Sequence, residues 1–212
     1  FIILIIIGAI AGVLSGMFGI GGGGVIVPSL ILFLGFSQTE ANGTSLAALL
    51  LPVGVLACIS YYRAGKLKIG IALMVALGLA SGTWFGAHWA LDLPATLLQQ
   101  AYGVFLVYMA WRYIAPLKWW RQWRGQVSNR ADEQDSTIDP KSRRVLITTL
   151  IIGFAAGILS GLFGIGGGVV IVPALMIFLS FDLRLATGTS LGALLLPVGL
   201  PGVLAYASEG QL

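Results

Sequence analysis

Two glycine-rich clusters hold the residues best suited to chemistry in this sequence. GMFGIGGGGVIVP covers residues 16–28, and GLFGIGGGVVIVP covers residues 161–173. Glycine costs about 1 kcal/mol relative to alanine inside a helix, so each cluster predicts a helix break. A helix that starts after such a break exposes its first N–H groups and the positive end of its dipole. Because glycine has no Cβ, an anion can approach this backbone closely.

Serine hydroxyls beside the clusters add possible hydrogen-bond donors. The alternative is that the glycines only permit close helix packing, and a stripe at four-residue spacing before each cluster indicates such packing: Gly8, Gly12, Gly16, Gly153, Gly157 and Gly161. Packing does not need the dense glycine run that follows. We therefore predict an anion site formed by Ser15, Gly19, Ile20, Gly21, Gly22, Gly23, Ser160, Gly164, Ile165, Gly166, Gly167 and Gly168.

A second pair of motifs follows each cluster, NGTS at residues 42–45 and TGTS at residues 187–190. Ser37 and Glu40 form a capping-box pattern, and Asp182 takes the place of Ser37 in the second copy, so a helix start is predicted just before each motif. Their hydroxyls could satisfy backbone groups or contact a solute: Thr44, Ser45, Thr189 and Ser190. Further along, Pro52 and Pro197 predict kinks, either static or used as hinges for gating.

The composition predicts an all-α, polytopic membrane protein. Hydrophobic residues make up 58% of the chain and charged residues 9%, against roughly 25% charged residues in a soluble domain. Clear spans of about 20 apolar residues lie at residues 43–62, 69–91 and 93–114. The basic residues gather between these spans, which is typical of cytoplasmic loops and argues against a nucleic-acid partner.

The chain contains an internal repeat. Residues 8–67 align without a gap on residues 153–212, with about 35 of the 60 positions identical. We divide the chain into a first transmembrane repeat (1–117), a polar and cytoplasmic linker (118–144) and an incomplete second repeat (145–212). A complete second copy would need roughly 47 further residues.

The orientation of the two repeats depends on how each broken segment crosses the membrane. A single crossing makes the copies parallel, whereas a hairpin makes them inverted. The basic residues Arg63 and Lys66 correspond to Ser208 and Gln211. Because external loops carry fewer basic residues, this loss of charge favours inverted repeats.

The sequence predicts no enzyme, metal site or cofactor. Neither cluster is followed by the lysine of a P-loop, and the strand and acidic residue of a dinucleotide-binding motif are missing. There is no catalytic triad or carboxylate pair, and the lone Cys58 excludes an internal disulfide and a multi-cysteine metal site. No acidic residue lies clearly mid-membrane, so an obvious proton relay is absent.

The paired motifs, each followed by G-T-S-L and L-P-V-G, resemble the sulfite exporter TauE/SafE family, also called the toluene-sulfonate uptake permeases. The resemblance covers nearly the whole chain and implies a multi-pass permease of the bacterial inner membrane. The substrates it implies are sulfite, organosulfonates and related small anions. The sequence departs from the family in lacking the last two spans and in placing Val169 where the first copy has Gly24.

We therefore expect a secondary transporter that moves a small anion by alternating access, with proton or sodium coupling as an option. The alternatives are a passive anion channel and a membrane scaffold or sensor subunit that transports nothing. A carrier of a cation or neutral solute would need mid-membrane carboxylates. The identity of the anion, the direction of transport and the oligomeric state stay open.

Overall fold

The computed structural model describes residues 2–19, 21–51, 54–114 and 143–211. These ranges consist of helices joined by short turns and contain no β-strand, which confirms the predicted all-α class for this part of the chain. The helices are α1 (Ile2–Phe18), α2 (Gly23–Leu34), α3 (Gln38–Leu50), α4 (Val55–Arg63), α5 (Ile69–Asp92), α6 (Ala95–Ile114), α7 (Arg143–Phe163), α8 (Gly168–Phe178), α9 (Leu183–Leu194) and α10 (Leu200–Ser208).

Two of the described helices, α5 and α7, are long and apolar enough to cross a membrane alone. Helices α3 and α4 would provide a third crossing if they form one span together. Their axes differ by 52° across the short break between them. The predicted span at residues 43–62 is therefore divided between two helices. Helix α6 covers most of the predicted span at residues 93–114 but is not among the described helices that are long and apolar enough to cross a membrane alone.

Both glycine clusters break the helical structure where the sequence predicts. The first break separates α1 from α2, and the second separates α7 from α8. Gly22 and Gly167 directly precede the new helices with φ values of 80° and 75°. Residues with a Cβ rarely adopt this left-handed conformation, whereas glycine adopts it without steric cost. The breaks therefore follow from local backbone chemistry.

The chain folds back on itself after each break. A Cβ atom placed on Gly22 would lie 3.4 Å from the carbonyl oxygen of Ala11 in the preceding helix. The matching distance from Gly167 to the carbonyl oxygen of Ala156 is 3.5 Å. Each glycine cluster therefore forms the bend between two helices that lie against each other.

Side-chain caps start α3 and α9, as the sequence predicts. The backbone N–H of Ser37 donates to Glu40 Oε2 (2.8 Å), and the backbone N–H of Glu40 donates to Ser37 Oγ (3.3 Å), completing a capping box. In the second copy, the backbone N–H of Leu185 donates to Asp182 Oδ1 (2.8 Å). These caps satisfy N–H groups that have no partner within the helix.

The helix around Pro197 is interrupted rather than kinked. Helix α9 ends at Leu194, and α10 begins only at Leu200. Proline has no N–H to donate and its ring clashes with the preceding turn, so a proline can end a helix as well as bend it. Pro52, the matching residue of the first copy, lies outside the described residues, as does Ile20.

Helices α5 and α7 form the largest interface in the described part of the chain. Both carry glycines at four-residue spacing: Gly78, Gly82 and Gly86 on α5, and Gly153, Gly157 and Gly161 on α7. A Cβ on Gly157 would lie 2.9 Å from the Cα of Gly82, so the two backbones touch. The contacts advance along both helices together, which means that α5 and α7 run in the same direction. The packing role predicted for the second glycine stripe is confirmed.

The matching stripe on α1 behaves differently. No heavy atom of another described residue lies within 4 Å of a Cβ placed on Gly8 or Gly12. Gly16 reaches only the Cβ of Ala57, at 3.9 Å. Within the described ranges, the packing role predicted for this first stripe is therefore not found, because α1 has no glycine-faced partner such as α5.

The two halves of the chain contact each other through matching residues. A Cβ on Gly43 in α3 would lie 3.1 Å from the Cβ of Tyr206 in α10. A Cβ on Gly188 in α9 would lie 2.9 Å from the Cβ of Tyr61 in α4.

Most of the predicted linker falls in residues 115–142, outside the described part, so the domain boundaries remain predictions.

Candidate functional site

The two glycine breaks meet inside the protein. A Cβ on Gly23 would lie 2.6 Å from the Cα of Ile165 and would also collide with the carbonyl oxygen of Gly164. Gly21 and Gly166 face each other, with each Cα less than 4 Å from the Cβ position of the other residue. The contacts of Gly23 leave no room for a side chain, whereas Gly21 and Gly166 lie at ordinary van der Waals distance from each other. The glycines therefore allow the two breaks to pack closely against each other, in addition to allowing the left-handed backbone conformation.

A small cavity of about 20 Å³ lies between the breaks. This is room for about one water molecule. None of its described lining residues is charged, and eight of the ten form pairs at the same offset as the sequence repeat: Ser15 with Ser160, Gly21 with Gly166, Leu46 with Leu191, and Leu49 with Leu194. Val198 and Gly199 complete the wall. Both copies therefore contribute to the cavity, with four residues from the first and six from the second.

Ser15 and Ser160 bring hydroxyl groups to this cavity from the last turns of α1 and α7. Each residue is only 2% exposed. Because a serine hydroxyl can donate one hydrogen bond, the cavity offers two donors to a small polar solute.

Two helix N-termini begin next to the cavity. Helix α2 starts at Gly23 and α8 at Gly168, and their N-cap glycines supply no side-chain cap. The first N–H groups of a helix have no partner within it, and the helix dipole places about half a positive charge there. Such an end favours negative charge without a cationic side chain. The arrangement can therefore hold an anion by backbone N–H groups and hydroxyls.

The serines of the second motif connect the two copies. Ser45 Oγ donates to the carbonyl oxygen of Gly164 (2.7 Å), and Ser190 Oγ donates to the carbonyl oxygen of Gly19 (3.1 Å). Both serines are completely buried. Of the two roles that the sequence leaves open for them, these bonds match the satisfaction of backbone groups.

The threonines of the same motif lie away from the cavity wall. Thr189 is buried, and its Oγ1 accepts a weak hydrogen bond from the backbone N–H of Lys68 (3.4 Å). Thr44 is half-buried. The structure therefore brings the predicted residues Ser15, Gly21, Ser160 and Gly166 into the cavity, but not the residues of the second motif.

Four leucines of the cavity wall are absent from the predicted site. Leu46 and Leu49 lie three residues apart on α3, and Leu191 and Leu194 have the same spacing on α9. Residues three apart share one face of a helix. This spacing, repeated in the two copies, could have pointed to them, but uniformly apolar sequence gives no sign of which face meets a cavity.

Asn42 begins the NGTS motif but is also absent from the predicted site residues. Its Nδ2 donates to the carbonyl oxygen of Leu162 (2.7 Å), near the end of α7, and its Oδ1 accepts from Gln38 Nε2 (3.0 Å). Tyr206 Oη likewise donates to the carbonyl oxygen of Gly161 (2.8 Å). These bonds satisfy carbonyl groups at the end of α7 that lack helical partners.

The chain matches the family described as "Sulfite exporter TauE/SafE" over residues 4–212. It is 31% identical to the probable membrane transporter protein YdhB of Bacillus subtilis, with 98% of this chain and 79% of that protein covered. It is 29% identical to the probable membrane transporter protein YunE of the same organism, over 100% and 80% of the two chains.

The similarity extends to an archaeon. A probable membrane transporter protein of Methanocaldococcus jannaschii is 28% identical, with 96% of this chain and 71% of that protein covered. No solved structure gives a significant match to this chain.

Proposed function

Since the chain belongs to the sulfite exporter TauE/SafE family, we propose that it is a secondary transporter of a small anion. The anion is sulfite, an organosulfonate or a related sulfur-containing or carboxylate anion. The protein works as a multi-pass permease of the bacterial inner membrane. The observation that supports this most directly is the cavity between the two glycine breaks, where two serine hydroxyls lie beside two helix N-termini.

The site holds an anion through neutral donors. The hydroxyls of Ser15 and Ser160 donate to the solute, and the N-terminal N–H groups of α2 and α8 favour its charge. A transporter must bind its solute and then release it, so binding must not be too tight. A wall whose described residues include no cation meets this requirement.

The repeats are inverted in this proposal, and contacts at the helix ends support the arrangement. Thr39 Oγ1, at the start of α3, donates to Gln211 Oε1 just beyond the end of α10 (2.7 Å). Lys66 Nζ, just beyond the end of α4, lies 3.4 Å from Asp182 Oδ2 before the start of α9. The start of α3 therefore lies near the end of α10, and the end of α4 lies near the start of α9. This arrangement means that α3–α4 and α9–α10 run in opposite directions.

Alternating access follows from the symmetry and the size of the cavity. At about 20 Å³ the cavity has room for one water molecule but not for a larger oxyanion. This conformation is therefore closed, and the site must widen to bind its solute. In inverted-repeat transporters, movement of one repeat against the other exposes a central site to each face in turn.

Transport by purified protein in liposomes tests the proposal. Uptake of radiolabelled sulfite and of a labelled organosulfonate is measured for the wild type and for Ser15→Ala and Ser160→Ala. A hydrogen bond to a charged group contributes about 1.5–3 kcal/mol, so each variant should lose roughly tenfold or more in apparent affinity. Ser81→Ala is the matched control, because Ser81 is exposed on α5 and bonds only to its own helix.

The same assay separates the alternatives. A secondary transporter accumulates the anion when a proton or sodium gradient is imposed, whereas a passive channel only equilibrates it. Absence of flux for every anion offered would favour the scaffold or sensor role. Unchanged flux in both Ser15→Ala and Ser160→Ala would show that these serines do not form the anion site.

A further inference from the structure

We propose that Leu49 and Leu194 determine the size of the transported solute by closing the central cavity from its two ends. The inference rests on the proposed transport function and extends it to two residues outside the anion-binding groups. Each leucine comes from one copy and covers the glycine break of the other.

The contacts place the two leucines directly on glycine backbone. Cδ1 of Leu194 lies 3.3 Å from the Cβ position of Gly21. Cδ1 of Leu49 lies 2.7 Å from the Cβ position of Gly166. Because neither glycine has a side chain, the leucine methyl groups occupy the space next to the breaks. These methyl groups are therefore the atoms that limit the cavity at the breaks.

Burial distinguishes these leucines from the other two in the wall. Leu46 and Leu191 are 1% and 2% exposed, and they are fixed in the core on all sides. Leu49 and Leu194 are only half-buried. A half-buried residue has space into which its side chain can withdraw, whereas a residue packed on all sides does not. Leu49 and Leu194 are thus the movable part of the wall.

Their position in the helices supports movement. Leu49 is one residue before the end of α3, and Leu194 is the last residue of α9. An interruption follows both helices before α4 and α10 begin. Residues at element ends commonly absorb the backbone changes of a conformational transition. A small swing of either helix end would lift its leucine from the glycine without unwinding the helix.

Size selection follows from this geometry. A hydrophobic wall discriminates between solutes that differ by one methylene by about 10–200-fold. Replacing Leu49 or Leu194 by alanine should therefore raise the transport of a bulky organosulfonate relative to sulfite by at least tenfold. The anion-binding hydroxyls of Ser15 and Ser160 are unchanged in these variants.

Chemical labelling tests closure without relying on transport. The native thiol is removed by Cys58→Ala, and Ser160→Cys places a reporter thiol in the cavity. A membrane-impermeant methanethiosulfonate is added to right-side-out or inverted membrane vesicles. Wild-type leucines should keep the reporter slow to react. Leu49→Ala should speed labelling from one membrane face and Leu194→Ala from the other, each by roughly tenfold or more, because losing the leucine shifts the population towards open states.

Control variants separate closure from general loosening. Leu51 and Leu196 form a pair with the same offset but are exposed by 69% and 41%, so Leu51→Ala and Leu196→Ala should leave labelling unchanged. Leu49→Met conserves volume and should keep the slow labelling of the wild type. If Leu49→Ala does not accumulate in the membrane, Leu49→Val removes less of the side chain and should give an intermediate rate.

The outcomes of labelling and transport are independent. Unchanged labelling in the Leu49 and Leu194 variants, or acceleration from the same face in both, would overturn the closure by paired leucines while leaving the transport function intact. Accelerated labelling from opposite faces would support it even if no anion offered is transported, and only the proposed function would then be lost.

Discussion

Ser45 Oγ donates a 2.7 Å hydrogen bond to the carbonyl oxygen of Gly164, which lies 119 residues later in the chain. The same bond recurs in the opposite sense, from Ser190 to Gly19. A helix break frees backbone carbonyl groups, and a membrane interior offers no water to satisfy them. Each copy of the repeat therefore supplies the hydroxyl that stabilises the break in the other copy.

Removing one of these hydroxyls should destabilise the protein. Ser45→Ala leaves the carbonyl oxygen of Gly164 buried without this partner, which costs about 1–3 kcal/mol. In a chain of this size, we expect the melting temperature in detergent to fall by roughly 2–4 °C per kcal/mol. Ser190→Ala should have a similar effect, and the exposed Ser81→Ala should have little. Equal melting temperatures for all variants would show that the hydrogen bonds of Ser45 and Ser190 to the other copy do not stabilise the protein.

Adjacent glycines in the first break should differ sharply in tolerance. A Cβ on Gly23 collides with the backbone of Gly164 and Ile165, so Gly23→Ala should abolish correct assembly of the break. Gly24→Ala should be accepted, because the nearest atom to its Cβ is Cγ2 of Val169 at 4.0 Å. Membrane expression and anion uptake, measured side by side, check this prediction. Equivalent behaviour of the two variants would show that the breaks do not meet.

Asp182 has two contacts that substitution can separate. Its side chain caps α9 and lies 3.4 Å from Lys66 Nζ. Asparagine caps a helix about as well as aspartate, and loss of a cap costs about 1 kcal/mol. The ion pair is partly exposed and contributes less, about 0–1 kcal/mol. Asp182→Ala should therefore lower the melting temperature more than Asp182→Asn. Equal falls in melting temperature for the two variants would show that the ion pair dominates and that the cap contributes little.

The proposed inversion of the repeats makes a prediction about membrane sides. Ala64, after α4, and Ser180, before α9, are exposed and belong to loops joined by the Lys66–Asp182 pair. In a Cys58→Ala background, Ala64→Cys and Ser180→Cys should react with an impermeant maleimide from the same face. Glu209→Cys, at the end of α10, should react from the opposite face. Labelling of Ala64→Cys and Glu209→Cys from one face would indicate parallel repeats.

Local features of this protein can be derived from the sequence because they depend on few neighbouring residues. Glycines with left-handed φ values, such as Gly22 and Gly167, end helices wherever they cluster. Ser37 and Asp182 start helices by bonding N–H groups three residues away. These interactions act within one or two turns, so the breaks and the helix starts are predictable.

The glycine stripes show where such reasoning ends. The sequence predicts the same packing role for Gly12 in α1 and Gly157 in α7, but only Gly157 contacts a helix of the described chain, α5. A small residue permits close packing, and the presence of a partner is decided elsewhere in the chain.

The sequence alone thus determined that this is an all-helical chain with two similar copies, each broken by glycine and carrying a serine beside the break. Only the tertiary structure decided that the breaks face each other, that Ser15 and Ser160 share one cavity, and that Ser45 and Ser190 bond across the copies. Backbone conformation and capping are set by adjacent residues. A cavity is set by the distances between residues far apart in the chain, which an apolar sequence pattern does not encode by itself.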